Sequence, residues 1–332
     1  MIITKTPFRM SFFGGGTDFK EFYNSFGGSV ISTTIDKYCY VNVRRLPNFF
    51  NYATELVYSK KEHVSSVDDS EHPAIRNAMK MLSVDNIRLA YEADLPARSG
   101  LGTSSSFAVG MLNAFYAMKG QFADAKKLAD DAIFLERTLC GEIGGIQDQI
   151  AAAFGGFNRI NFSDNGYEVC PLPMNTERKK ALENNIVMFF TGFTRFSADV
   201  QKTNKPYTQT DLLRTMLSLV DEAEKILVSQ DRDIDDFGRL LDETWQIKRK
   251  TGTSVTTGYI DELYNKGLKA GALGGKLLGA GGGGHLIFYV TDENKEKLMN
   301  EMDGCLHIPF EFETGGTKII HFTPETEFSA KE

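Results

Sequence analysis

The amino-acid sequence predicts a mixed α+β protein built in two parts. Extended and helical patterns alternate through the first third of the chain, whereas strongly amphipathic helices fill most of the second half. The strands between them follow no regular βαβ alternation, so layered helices and strands are the fitting class. A length of 332 residues is enough for two domains with a real core.

The elements follow in order. Residues 2–6 alternate as a short strand, and the β-branched and aromatic residues from Val30 to Arg45 predict one or two longer ones. Residues 87–92 alternate again. Apolar spacing predicts helices over 103–119 and 124–140, and a third beginning near Ile146. Short strands are expected across Phe157–Cys170, around the turn Ser163-Asp-Asn-Gly166. Ile186–Thr191 reads as a buried strand. Helices are expected over 211–229, 233–250 and 258–270, then strands at Leu286–Val290 and Thr317–Phe322 with a helix near Glu293–Met302 between them. The change from strand-led to helix-rich sequence falls between 165 and 185, and we place it so that the two parts are 1–172 and 173–332.

Composition excludes several function classes. A net charge of −7 speaks against nucleic acid or an acidic membrane surface as the main partner. Cys39, Cys140, Cys170 and Cys305 form no CxxC pair and the five histidines show no HExxH spacing, so neither a disulfide framework nor a zinc site is expected. No stretch has the length of a transmembrane helix and the first residues lack a signal-peptide apolar region, which predicts a cytoplasmic location. Whether the chain is a monomer or a homodimer is open.

Four constellations could carry chemistry. The first is Leu95-Pro-Ala-Arg-Ser-Gly-Leu-Gly-Thr-Ser-Ser-Ser-Phe107, a glycine-rich turn opening into the helix 103–119. Thr103 or Ser104 can cap that helix, and its free N–H groups with the positive end of its dipole make an anion site. The second is Thr6-Pro-Phe-Arg-Met-Ser-Phe-Phe-Gly-Gly-Gly-Thr-Asp-Phe19, where three glycines allow close approach of a ligand beside Thr17, Asp18 and Arg9. The plainer reading there is a tight turn whose Asp18 caps a helix at about 19–25.

The third joins Glu136, late in the helix 124–140, to Asp148 just past a Gly-Gly turn. Alone, Glu136 reads as a solvated helix residue and Asp148 as an acidic helix start. The fourth, Gly279-Ala-Gly-Gly-Gly-Gly-His285, satisfies G-x-G-x-x-G, but a helical pattern precedes it and a strand follows, the reverse of a dinucleotide fingerprint. Gly275-Lys276 is followed by Leu277, so no Walker A loop is present, and the protein-kinase motifs are missing too.

In this order the blocks resemble the GHMP small-molecule kinases. Thr6-Pro-Phe-Arg9 with Gly14-Gly-Gly-Thr-Asp18 looks like the family's first motif, Leu95 to Ser104 like its ATP phosphate loop, and Lys276 to Gly284 like its third motif. Gly-Gly-Ile-Gln-Asp-Gln149 adds a further block. The resemblance implies a two-domain fold, ribosomal protein S5 domain 2-like then ferredoxin-like, with the active site in the cleft. Gly-Gly-Gly-Thr-Asp is similar to the motif of sugar kinases acting on heptose 7-phosphate and on fucose, while the acidic-His pair of galactokinases is missing. With Thr191-Gly-Phe-Thr-Arg195, this implies ATP-dependent phosphorylation of the anomeric hydroxyl of D-glycero-D-manno-heptose 7-phosphate to the 1,7-bisphosphate, on the route to GDP-heptose.

The family's roles then fall on named positions. Pro96, Ser99, Gly100, Leu101, Gly102, Thr103, Ser104 and Ser105 would hold ATP, and Ser104 and Glu136 would contact its Mg2+. Asp148 would be the catalytic aspartate with Arg9 beside it. Gly14, Gly15, Gly16, Thr17, Asp18, Gly281 and Gly282 would bind the sugar, and Arg195, before Lys202 and Lys205, its distal phosphate. The alternatives are a fucokinase-like enzyme for a non-phosphorylated sugar and a family member that senses a sugar or nucleotide without turnover.

Overall fold

The computed structural model describes residues 1–47, 49–192 and 206–323. Its elements, in chain order, are β1 (Ile2–Phe13), α1 (Lys20–Phe26), β2 (Gly28–Arg45), β3 (Thr54–Val57), β4 (Lys61–Val64), α2 (Pro73–Leu82), β5 (Ile87–Ala93), α3 (Thr103–Met118) and α4 (Ala125–Ile133). A π-helix (Phe134–Leu139), α5 (Gln147–Phe154), β6 (Phe157–Ser163), β7 (Gly166–Pro171), α6 (Thr176–Asn185) and β8 (Ile186–Phe190) follow. The remainder is α7 (Thr210–Val228), α8 (Asp235–Lys248), α9 (Gly258–Lys269), β9 (Gly274–Leu277), β10 (His285–Tyr289), α10 (Asp292–Glu301), β11 (Leu306–His307), β12 (Phe312–Glu313) and β13 (Lys318–Phe322).

Two sheets organise these elements. The larger, nine-stranded one runs β13-β1-β2-β5-β3-β4, with β12 and β6 also on β2, and β7 on β6. The long β2 is its spine: Gly28 to Thr33 pairs with β6 and Cys39 to Arg45 with β5. The smaller sheet runs β11-β8-β10-β9, all antiparallel. The expected part 173–332 therefore does not stay apart, because Phe312–Phe322 returns to the sheet of the first part through β12 and β13.

Side-chain alternation in β1 sets up the site. Phe8, Met10 and Phe12 enter a core shared with α7, α8, β8 and β10, which leaves Arg9 and Ser11 on the other side of the strand. A second core packs α2, α3, α4 and α5 against β2 and β5. The helix α3 is buried on nearly every face, which explains its continuous apolar sequence.

Several expectations need correction. The helix 124–140 is α-helical only to Ile133; the wider π turn follows, with the Cys140 amide donating to Leu135 O at 2.9 Å. Neither Thr103 nor Ser104 caps α3: Gly102 does so in the left-handed region, and Thr103 Oγ1 accepts instead from the Arg98 amide. Asp18 does not cap α1 either, since the residue before that helix is Phe19. The third glycine motif follows a strand, β9, rather than a helix. Its glycines hide a strand from any propensity reading, yet they let α8 approach: a Cβ on Gly274 would lie 2.0 Å from Gly238 O.

Candidate active site

A cavity of about 780 Å³ is lined by residues of all three glycine motifs and by Lys248 at the end of α8. At its centre Arg9 grips Asp148 with a two-pronged fork, Nε to Oδ1 at 2.7 Å and Nη2 to Oδ2 at 2.8 Å. The third edge of the guanidinium donates from Nη1 to Gly100 O at 2.6 Å. One arginine thus fixes the carboxylate of α5 against the loop that opens α3. That loop can come so close only because Gly102 has φ +71°, and a Cβ there would lie 3.1 Å from Arg9 Cγ and 3.5 Å from Asp148 Cγ. With no side-chain cap at the start of α3, the first-turn amides of the helix are left for a ligand.

Beside this pair sits a second carboxylate, Asp18, which makes no ion pair with any of the described residues. Asp18 Oδ1 accepts from the Gly16 amide at 2.9 Å, and Oδ2 from Gln147 Nε2 at 3.0 Å and the Gln147 amide at 3.3 Å. Burial pushes its carboxyl above the usual carboxylate range and the charge of Asp148 adds to this, while the bonds from Gly16 and Gln147 oppose them. Gln147 is held in turn by Ser11 Oγ at 2.7 Å. A Cβ on Gly145 would fall 1.9 Å from Asp18 Oδ2, so the Gly-Gly turn before α5 makes room for that carboxylate.

Glu136 is 1% exposed, far from a solvated helix residue. Ser104 Oγ donates to its Oε1 at 3.0 Å, Ser105 Oγ to its Oε2 at 2.7 Å, and Gln149 Nε2 also donates to Oε2. It makes no ion pair among the described residues, which also hold no cluster of three or more His, Cys, Asp or Glu side chains fit for a metal. A buried carboxylate next to a serine hydroxyl is nonetheless the hard-oxygen pair that Mg2+ takes when phosphate oxygens and waters complete its shell. The donor set fits that ion.

The structure brings Arg9, Gly15, Gly16, Asp18, Gly100, Gly102, Thr103, Ser104, Ser105, Glu136 and Asp148 onto one cavity wall. Others expected there lie elsewhere. Thr17 is fully buried, its Oγ1 donating toward Gly14 O and Ser29 O and accepting from the Ser29 amide, so it holds the turn rather than a ligand. Gly14 is packed against Ser29, Leu101 is in the core, Pro96 is exposed away from the cavity, and Ser99 faces His285, whose amide and Nδ1 both meet its carbonyl. Gly281 and Gly282 lie against the backbone of Val255, one step behind the lining. Arg195, Lys202 and Lys205 lie outside the described residues.

Two lysines and an aromatic cluster at the cavity were not foreseen. Lys248 donates from Nζ to Gly279 O at 2.7 Å, and Lys276 to Ser11 O at 3.0 Å and Phe12 O at 2.7 Å. Burial pushes the Lys276 ammonium well below the usual lysine range, with Lys248 and Arg9 adding to the effect. At the far end, Tyr58, His72, Phe107 and Tyr91 meet edge to face with centroids 4.8–5.6 Å apart. Burial keeps the His72 imidazole below its ordinary value, hence neutral near pH 7.

An uncapped helix start, an arginine-held carboxylate and a hydroxyl-carboxylate pair are the parts that phosphoryl transfer calls for. Comparison with known proteins agrees. Family models for the GHMP kinases N-terminal domain and the GHMP kinases C-terminal region match residues 71–156 and 219–306. The chain belongs to the GHMP kinases. It is 28% identical over 319 residues to a D-glycero-alpha-D-manno-heptose 7-phosphate kinase of Campylobacter jejuni, covering 91% of this chain and 93% of that one. It superposes with a TM-score of 0.80 and 25% identity on the crystal structure of a D-glycero-D-manno-heptose 1-phosphate kinase from Bacteroides thetaiotaomicron, over 97% of this chain and all of that one. Mevalonate kinase from Methanococcus jannaschii shares the fold at 18% identity and a TM-score of 0.72, over 94% and 98% of the two chains.

Proposed function

We propose that the protein is an ATP-dependent kinase that phosphorylates the anomeric hydroxyl of D-glycero-D-manno-heptose 7-phosphate, giving the 1,7-bisphosphate and ADP. The observation that carries the phosphotransferase reading is the Arg9 fork, which fixes the Asp148 carboxylate against the loop opening α3. The heptose-phosphate reading draws on the likeness to the Campylobacter and Bacteroides enzymes.

In this reading the adenine occupies the aromatic end of the cavity and the triphosphate meets the first-turn amides of α3. The attacking hydroxyl gives its proton or hydrogen bond to Asp148 as its oxygen bonds to the γ-phosphorus. The bond from that phosphorus to the bridging oxygen then breaks, and ADP leaves. Such a positioned carboxylate contributes roughly 10²–10⁴-fold in rate. Arg9 orients it and counters the charge that gathers on the transferred group. Asp18, with Gly15, Gly16 and Gln147, holds sugar hydroxyls. Ser104 and Glu136 would hold Mg2+, which supplies neutralisation of the phosphate oxygens when bound.

The test is ADP release with D-glycero-D-manno-heptose 7-phosphate, heptose 1-phosphate, free heptose and fucose, with the product read by ³¹P NMR. A second phosphorus signal on C1 from the 7-phosphate is expected. Turnover of a non-phosphorylated sugar or of the 1-phosphate in its place would overturn the acceptor assignment, and nucleotide binding without any ADP release would overturn the kinase reading.

A further inference from the structure

Lys248 ends α8, in the half of the chain that contributes least to the carboxylate cluster, yet its ammonium stands inside the cavity. Its Nζ lies 4.0 Å from where a Cβ on Gly15 would sit, close to the Asp18 turn. It feels the charges of Arg9 on β1, Asp18 after β1, and Asp148 on α5, and Lys276 on β9 feels its charge in turn. Of its three N–H bonds only one has a partner among the described residues, the Gly279 carbonyl. No carboxylate of those residues comes within ion-pair distance of it, unlike Arg9 with Asp148.

Such a placement is costly for a lysine serving only as structure. A half-buried ammonium beside a guanidinium loses part of its hydration and meets like charge, and a single carbonyl returns little of that. The arrangement makes sense when an anion arrives. Gly279, which holds the ammonium, is packed on the phosphate loop, since a Cβ there would lie 2.6 Å from Gly100 Cα. Gly100 O in turn accepts from Arg9. Two cations from opposite halves of the chain therefore reach the same cavity, each held by a backbone carbonyl of the two packed glycine loops.

Resting on the kinase reading above, we propose that Lys248 is a second catalytic cation, whose two remaining N–H bonds hold the oxygens of the phosphoryl group as it passes from ATP to the acceptor hydroxyl. Its role complements that of Arg9: Arg9 is committed to Asp148 and Gly100, whereas Lys248 keeps donors free for the moving group. Burial and Arg9 pull the Lys248 pKa down to about 8, against the pull of Asp18 and Asp148, so the charged form prevails near pH 7 and is lost as pH rises through that value.

The experiment compares Lys248→Met and Lys248→Arg with the wild type in three measurements. Thermal melting checks folding, and titration calorimetry with ADP reads the ground state. Binding of ADP with magnesium and aluminium fluoride, a mimic of the phosphoryl group in flight, reads the transfer geometry. Lys248→Met is expected to fold and to bind ADP within threefold of wild type while binding the mimic at least 100-fold more weakly. With an acceptor that the wild type turns over, kcat should fall 10²–10³-fold. Lys248→Arg should restore part of it, and should lack the decline in kcat/KM expected of the wild type as pH rises through about 8. Equal weakening toward ADP and the mimic, or mimic affinity within threefold of wild type, would overturn the proposal. If the wild type turned over no sugar at all, the kinase reading would fail on the acceptor assay, and the mimic would still decide the role of Lys248.

Discussion

Asp18 and Asp148 are neighbouring carboxylates given opposite treatment. Asp148 has a guanidinium on both oxygens, whereas Asp18 has only amide donors and is buried. The raised pKa of Asp18 has a definite sign in stability. The folded state holds its proton more tightly than the unfolded chain, so ionising it costs stability as pH rises above the unfolded value and through the folded one. The melting temperature of Asp18→Asn relative to wild type should therefore rise from pH 4 to pH 7, on top of a constant loss where the new NH2 meets an N–H donor, while its acceptor KM rises. Calorimetric melts across that range check this, and a margin independent of pH would contradict it. Asp148→Asn should lose about 10²–10⁴-fold in kcat with ATP binding retained, measured by coupled ADP release and calorimetry. Arg9, Asp18 and Asp148 stood out in the sequence near glycine turns, whereas Glu136 alone read as a solvated helix residue and entered the site only through the family resemblance. Lys248 was not legible, since a basic residue in the last turn of an amphipathic helix is what the helix dipole favours anyway. Thr17 misled for a related reason: a hydroxyl beside glycines serves a ligand or the turn itself, and burial alone decides between them.

At the scale of elements, the start of α3 is the most constrained piece. Gly102→Ala puts a Cβ into left-handed backbone and against the Arg9 and Asp148 side chains. The strain alone is worth about 1–3 kcal/mol, and any relief must move the fork. We expect a lower melting temperature together with a loss of kcat, whereas an exposed glycine such as Gly120 with nothing near its Cβ should show only the first when changed to alanine. Melts and steady-state kinetics on the two variants separate these effects. The helix α3 itself was plain in the sequence, but its cap was not, because hydroxyls at its start are used on Glu136 and Arg98 instead. The π turn that carries Glu136 was equally hidden. Its residues keep a helical apolar spacing, and only the i to i+5 bond from Cys140 to Leu135 shows the widening that helps aim that carboxylate inward.

For the whole molecule, the decisive feature is the return of β12 and β13 to the first sheet. Phe312 packs edge-on against Phe12 and Phe157, and β13 lies along β1 from Ile2 to Lys5. Truncation before Phe312 should therefore lower the melting temperature and also impair catalysis, because β1 carries Arg9. Circular dichroism melts and ADP release on the truncated chain check this; full activity after truncation would show that β1 holds its place alone. Local periodicity predicted a strand at 317–322 but not its partner, since strand pairing at such separation leaves no local trace. The division at 172 was drawn from composition, which registers the change from strands to helices and is blind to a segment that crosses back.

That crossing back has a consequence for how the protein is made. The strand bearing Arg9 leaves the ribosome some three hundred residues before its outer neighbour. At ordinary translation speeds this is a wait on the order of tens of seconds. Through that interval β1 offers an open row of amides and carbonyls to any passing strand. The yield of active enzyme in a cell should therefore respond to slowed elongation more sharply than the stability of the finished fold would suggest.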